Sequence, residues 1–383
     1  MKVLVCPSGF KGSVSPGTAA DCIEAGILQA MPKATVRKVP LADGGEGFAQ
    51  ALVAATSGTI HSYRVIGPVG EPVRSFYGIL GNTSVKTAVI EMAAVAGLSL
   101  VPPDRRNPCV TTTYGVGQLI AAALEDGAQR IIIGCGDSGT SDGGAGVLQA
   151  LGARLIGRDG QELPRAGGGQ SLASLAGVDF SKMHPLLKDV DIEAVCNWTN
   201  VLCGPQGVAR VYGPQKGASP AQTELLEAAL QTYATVIHRT LGIDISHAPG
   251  SGASGGLGAG LLLVGAKLRP RYEALIEYFC LEDIFSDCDL IITAEGAIDD
   301  QTRRGKIPAE VALRARERGI PVIVLAGTIG HDARVNYEIG INAFTSILQR
   351  PSTLDEAMEE TERLLTEAGE GAMRMVAIGR SLG

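Results

Sequence analysis

Aromatic residues are scarce in this chain, 4% of 383 residues with a single tryptophan. Its core must therefore be aliphatic, and its length suits two domains. Histidine is also rare, five in all. The eight cysteines (Cys6, Cys22, Cys109, Cys135, Cys196, Cys203, Cys280 and Cys288) include no C-x-x-C pair, which argues against a zinc site. A disulfide framework is not expected either, because the opening MKVLVCP lacks the apolar region and cleavage site of a signal peptide. The most apolar run, LGAGLLLVGA at 257–266, is about half the ~20 residues a membrane-spanning helix needs. No block of Lys or Arg offsets the formal charge of −7 and the isoelectric point near 5.4. Nucleic acid and anionic membrane are thus excluded as main partners. These absences leave a soluble, cytoplasmic protein acting on small molecules. Several catalytic signatures are missing as well. There is no G-x-x-x-x-G-K-[ST], no H-R-D or D-F-G set and no G-x-S-x-G elbow.

Glycine is abundant, 51 residues, roughly double the average usage of about 7%. The glycines cluster in short loops between apolar runs, where backbone turns tightly or approaches a ligand. The ends of the chain read as alternating strands and helices. Strands are expected at 2–6, 35–39, 289–293, 322–325 and 343–347, and helices at 19–31, 308–318 and 353–368. The runs HSYRVIG, RSFYGIL and VKTAVIEM between 59 and 92 have no helix between them and read as antiparallel strands. A helix at 115–125, strands at 130–133 and 192–196 and a helix at 220–241 follow, and 157–190 is poorly patterned. The expected fold is α/β with two domains. One is a discontinuous Rossmann- or flavodoxin-like parallel-sheet domain, 1–60 with 270–383. The other is an inserted mixed-sheet α/β domain, 61–269.

Three loops share one design, carboxylates among glycines near a strand end: Asp43-Gly-Gly-Glu46, Asp137-Ser-Gly-Thr-Ser-Asp142 and Glu295-Gly-Ala-Ile-Asp299. Turns and helix caps prefer the same residues. Three such loops together favour a site, since Mg²⁺ takes one or two carboxylates plus phosphate oxygens. Lys11 in FKGS and Lys216 in GPQKGAS sit in backbone defined by Gly or Pro, unlike a lysine on a solvated helix face. A transferring phosphoryl group needs such cations. The string Gly134, Gly136, Gly139 follows a strand and precedes a helix, so an NAD(P)-dependent oxidoreductase is a competing reading. The acids crowding that loop would repel a pyrophosphate. None of the histidines, His331 included, reads as a catalytic base.

FKGS, PLADGGEG at 40–47, GDSGTSDGGAG at 136–146, GPQKGAS at 213–219, GASGGLGAG at 252–260 and AEGAIDDQTRRGKIP at 294–308 appear in one order. Together they resemble the bacterial glycerate kinase family that yields 2-phosphoglycerate, over essentially the whole chain. The resemblance implies ATP-dependent phosphorylation of glycerate, with ATP and Mg²⁺, in a cleft between the domains. On that basis Lys11, Asp43, Asp142 and Lys216 are the expected catalytic residues. Ser13, Asn200, Arg303, Arg304 and Lys306 are expected to bind substrate. Gly134, Gly136, Ser138, Gly139, Gly252, Gly255 and Gly256 are expected at ATP. Mg²⁺ is expected among Asp43, Glu46 and Asp142, or between these and Glu295 and Asp299. The chain departs from the family pattern at Ser8 and Gly9, at Asp137, Gly139 and Ser141, at Asn197 and Thr199, and at Ala297. Asn197 cannot accept a proton as a carboxylate does, and Asp137 is the candidate to replace that acid. A kinase for another small hydroxy acid such as threonate is therefore an alternative. A catalytically dead ligand sensor is another. A two-fold dimer is the default assembly.

Overall fold

The computed structural model describes residues 1–382 apart from 11, 43, 280–283 and 286. Lys11, Asp43 and Cys280 therefore lie outside the described residues, as does the side chain of Arg304. In chain order the strands are β1 (Lys2–Val5), β2 (Thr35–Lys38), β3 (Thr59–Ile66), β4 (Pro72–Ile79), β5 (Thr87–Glu91), β6 (Arg130–Gly134) and β7 (Arg154–Gly157). They continue as β8 (Leu175–Asp179), β9 (Asp191–Cys196), β10 (Lys267–Pro270), β11 (Leu290–Ile298), β12 (Val322–Ile329) and β13 (Ala343–Ser346). The chain divides into two compact units, Met1–Asp43 with Tyr272–Gly383, and Gly44–Arg271. Residues 44–60 thus group with the inserted unit.

The discontinuous unit carries one parallel sheet in the order β13-β12-β11-β1-β2. Counted by its own strands the order is 2-1-3-4-5, the flavodoxin-like doubly wound arrangement, whose crevice lies at the carboxyl ends of β1 and β11. Val3, Val5, Ile292 and Ala294 bury this sheet's core. The helix Pro16–Ala30 starts where Ser15 accepts a bond from the Thr18 N–H and Pro16 presets the first turn. Its fully buried Ile23 and Ile27 contribute about 1.5–3 kcal/mol each. At Gly26 the helix meets Thr361–Leu382 so closely that a Cβ would lie 2.0 Å from the Thr366 carbonyl.

The inserted unit has a six-stranded sheet, β10-β9-β6-β5-β4-β3. It is parallel from β10 to β5 and antiparallel through β4 and β3. The change of direction follows from the turns: β3, β4 and β5 are joined without a crossover helix, which antiparallel neighbours allow. The α/β fold with one parallel and one mixed sheet agrees with the sequence reading.

Three local expectations need correction. The stretch 157–190 holds β8, paired with β7 in a small antiparallel sheet. It was unreadable because short 3₁₀ turns flank a four- to five-residue pairing. β11 and β12 outrun their apolar cores and stay in register to Ala297↔Thr328 and Ile298↔Ile329. Glu295 therefore belongs to a strand and only Asp299 to the loop after it. The last helical region breaks near Glu360 and resumes as Thr361–Leu382. Its second half, glycine-rich by sequence, is held by buried Ala372 and Met373.

Candidate active site

In the discontinuous unit, the carboxyl ends of β1 and β11 are stitched together by Ser8. Its N–H and its hydroxyl donate to the Ala294 carbonyl at 2.8 and 2.9 Å. Just beyond, two half-buried carboxylates converge on one cation. Lys306 Nζ lies 3.6 Å from Glu295 Oε1 and 3.6 Å from Asp299 Oδ1. It also donates to the Ala297 carbonyl at 3.3 Å. Asp299 closes its own loop, accepting from Gln301 N at 2.9 Å while its N–H donates to Thr302 Oγ1 at 3.1 Å. Beside them the Cβ direction of Gly296 is open, with nothing within 4 Å. Glycine in a strand interior with space above it admits a close ligand. Arg303 is exposed. Ser13 is already engaged: its hydroxyl bonds the Met358 carbonyl and Thr361 Oγ1, each at 2.8 Å. His331 stands in solvent.

The inserted unit gathers the other predicted residues at the carboxyl ends of β5, β6 and β9. Lys216 follows the rigid turn Gly213-Pro214 and is 3% exposed. Its ammonium donates to Ser138 Oγ at 2.8 Å and to the Thr140 carbonyl at 2.6 Å. Burial pushes this lysine down to about 7, against the pull of Asp142. Asp142 is buried in turn, and its own fold satisfies it. It accepts from Thr113 N at 2.7 Å, Thr113 Oγ1 at 2.9 Å, Gly144 N at 3.0 Å and Gly146 N at 3.2 Å. Burial raises its pKa above the ordinary carboxylate range and these donors oppose the rise. Nearby, Thr140 Oγ1, Ser141 Oγ and Ser254 Oγ are buried without a hydrogen-bond partner among the described residues.

The glycines expected at ATP are packed against neighbouring backbone. A Cβ on Gly136 would meet Gly45 Cα at 2.5 Å, and one on Gly134 would meet the Gly44 carbonyl at 2.8 Å. The same holds for Gly139 on the Gly97 carbonyl at 2.9 Å and Gly252 on the Val201 carbonyl at 2.1 Å. Gly255 would strike the Thr140 carbonyl at 1.9 Å and Gly256 the Gly143 Cα at 2.6 Å. The helix Ala253–Leu263 opens with three left-handed residues, Ser254, Gly255 and Gly256. Asn200 Oδ1 accepts from the Tyr212 hydroxyl at 2.9 Å. Asn197 Oδ1 is held by the Thr199 hydroxyl at 2.9 Å. The dinucleotide reading of Gly134–Gly139 fails on geometry. The helix that follows is only Ala145–Ala150, and Asp142 already takes the N–H groups of Gly144 and Gly146. The N–H groups at that helix start are therefore not available to a pyrophosphate.

One residue escaped the sequence reading. Glu91 ends β5, is 2% exposed, and accepts from Gly47 N and Ala49 N, both at 3.1 Å. Its visible signal is an acid closing an otherwise apolar strand, TAVIEM. Asp137 Oδ2 accepts from the next amide back, Glu46 N, at 3.1 Å. Glu46 itself is exposed. Among the described residues no group of three or more His, Cys, Asp or Glu converges on one point. Among the same residues no helix is long and apolar enough to cross a membrane.

The glycerate kinase family profile matches residues 3–377. The chain is 43% identical over 383 residues to a glycerate kinase of Bacillus subtilis (strain 168), covering 100% of this chain and 99% of the relative. It is 44% identical over 380 residues to glycerate 2-kinase of Escherichia coli (strain K12), covering 99% of each. A crystal structure of a glycerate kinase 2 candidate from Salmonella typhimurium LT2 superposes with a TM-score of 0.82 at 40% identity, covering 100% of both chains. Profile, relatives and structure agree over the full length, and the chain belongs to the glycerate kinase family.

Proposed function

We propose that this chain transfers the γ-phosphoryl group of ATP to glycerate, giving 2-phosphoglycerate. The observation that carries the reading is Lys216. A cation buried this deeply is unfavourable unless an anion arrives to share its site. Among the described residues its ammonium has two hydrogen-bond partners, Ser138 Oγ and the Thr140 carbonyl, which leaves one N–H for a phosphoryl oxygen. Asp142 acts through its charge on Lys216; with its oxygens held by four donors it is neither base nor metal ligand in this reading.

The paired carboxylates Glu295 and Asp299 suit Mg²⁺, since hard oxygens already converge there on one positive charge. When bound, Mg²⁺ neutralises charge on the phosphates. Glu46 is a further carboxylate for it. Lys306, with Arg303 and Arg304, would hold the carboxylate of glycerate. The unpartnered hydroxyls of Thr140, Ser141 and Ser254 supply donors toward phosphate, and Lys11 and Asp43 complete the catalytic set. Positioning and charge stabilisation carry the transfer without a covalent intermediate. The protein works in the cytoplasm, as a two-fold dimer.

The test is ADP release with Mg-ATP against D-glycerate, L-glycerate and threonate, with phosphorus NMR of the product. Turnover of glycerate to the 2-phosphate is expected. Turnover of threonate alone would move the substrate and point to Asn197, whose amide cannot accept a proton as a carboxylate does. Silence with every acceptor from folded protein would refute the kinase reading.

A further inference from the structure

We infer that Glu91 is a positioning residue for phosphoryl transfer, holding the loop Gly44–Gly47 in its working shape. The inference rests on the kinase reading above.

A buried carboxylate is costly unless it is paired or well hydrogen-bonded. Among the described residues no cation pairs with Glu91, and its charged neighbours Glu46 and Asp137 are both acidic. What it has instead is the start of the helix Phe48–Thr56. One oxygen takes Gly47 N and the other Ala49 N, where the helix end is also positive. A local Ser or Asp would cap this helix more simply. The residue before the helix is instead Gly47, left-handed with φ 86° and no side-chain cap. The cap comes from a different strand, so it fixes the loop relative to the sheet as well as ending the helix.

The same loop is held at two more points. Asp137, beyond the end of β6, takes Glu46 N. The backbones of Gly45 and Gly136 touch with no room for a Cβ. Three restraints from the ends of two adjacent parallel strands thus immobilise four residues that carry one exposed carboxylate, Glu46. Helix stability alone does not call for this. Fixing where the Glu46 carboxylate and the loop amides stand does.

The experiment compares wild type with Glu91→Gln, which keeps the shape but turns one accepting oxygen into a donor, and with Glu91→Asp, which keeps the charge but shortens the reach. Glu193→Gln serves as control. It disturbs a buried carboxylate in the same sheet, one that bridges Arg130 and Arg269. Steady-state kinetics use whichever acceptor the panel above identifies. Amide hydrogen exchange of Gly47 and Ala49 needs no acceptor. Expected in Glu91→Gln is at least tenfold faster exchange at these amides. Its kcat should fall about ten- to a hundredfold, the scale of small misplacements, with the KM for the acceptor within about twofold. Glu91→Asp should recover part of both, and Glu193→Gln should change neither. Unchanged exchange in Glu91→Gln, or faster exchange with wild-type kcat, would overturn the positioning role while leaving the kinase reading intact. Should the wild type turn over no acceptor, the kinase reading falls by that result alone, and with it the role in transfer. The exchange data would then still report whether Glu91 holds the loop.

Discussion

Two loops that look alike in sequence, each with acids among glycines near a strand end, have opposite physical characters. In Asp137–Asp142 the last carboxylate is sealed in protein and satisfied by four donors from Thr113, Gly144 and Gly146. In Glu295–Asp299 both carboxylates are half-buried and approach Lys306 at 3.6 Å. The first acid builds the fold around Lys216. The second pair is half-buried and faces a mobile ammonium rather than fixed backbone donors alone. Composition shows where acids gather; burial and donor count decide which of them is available for chemistry.

The comparison breaks most visibly at the lysines. Lys216→Met should lower kcat by about 10²–10³-fold, the scale of losing one preorganised charge donor, in a protein that still unfolds cooperatively. A near-wild-type rate would remove Lys216 from the site. Next, the two kinds of acid should separate stability from metal use. Asp142→Asn sets an amide NH₂ against N–H donors and should cost about 1–3 kcal/mol in denaturant unfolding. Asp299→Asn should stay within about 0.5 kcal/mol of wild type and raise the Mg²⁺ concentration needed for half-maximal rate. Equal stability losses in the two variants would erase the distinction.

A smaller effect should appear with pH. Lys216 is charged below about 7 in the free protein and loses its proton as pH rises past that value. Values of kcat/KM, which report the free enzyme, should therefore decline above about 7. The residual activity of Lys216→Met should lack that limb. For stability the sign is opposite. The folded value lies below the ordinary 10.5, so the unfolded chain binds more protons between the two. This group alone then makes stability rise across that window. Smallest of all, His331→Ala should leave rate and stability unchanged, because that side chain is 88% exposed.

Much of this was legible from residues alone. The β-branched runs KVLV and RIIIG and the Ser-Pro start of Pro220–Leu241 announce their elements because local propensity and packing agree there. Ser138, Lys216 and Asp142 were each marked out by their motifs, and the fold brings them together. What stayed hidden depended on distant partners. Glu91 reads as one acid in an apolar strand, and only the fold brings Gly47 and Ala49 to it. Asp142 reads as a ligand because a sequence does not reveal that Thr113, some thirty residues earlier, has taken its oxygens. The tail after Ala368 carries too much glycine to announce a helix, and packing through Ala372 and Met373 overrides propensity.

The contacts between glycine backbones bear on how this enzyme can be re-engineered. At Gly134, Gly136, Gly252 and Gly255, opposing main chain lies within 2.8 Å of where a methyl group would stand. Those positions are effectively closed to substitution, and saturation libraries aimed at them should return few folded clones. Substitutions can enter elsewhere, at Gly296 with its open Cβ direction or on the amide-bearing turn Asn197–Asn200. Small, biased libraries at those places should outperform broad ones drawn across the glycine loops.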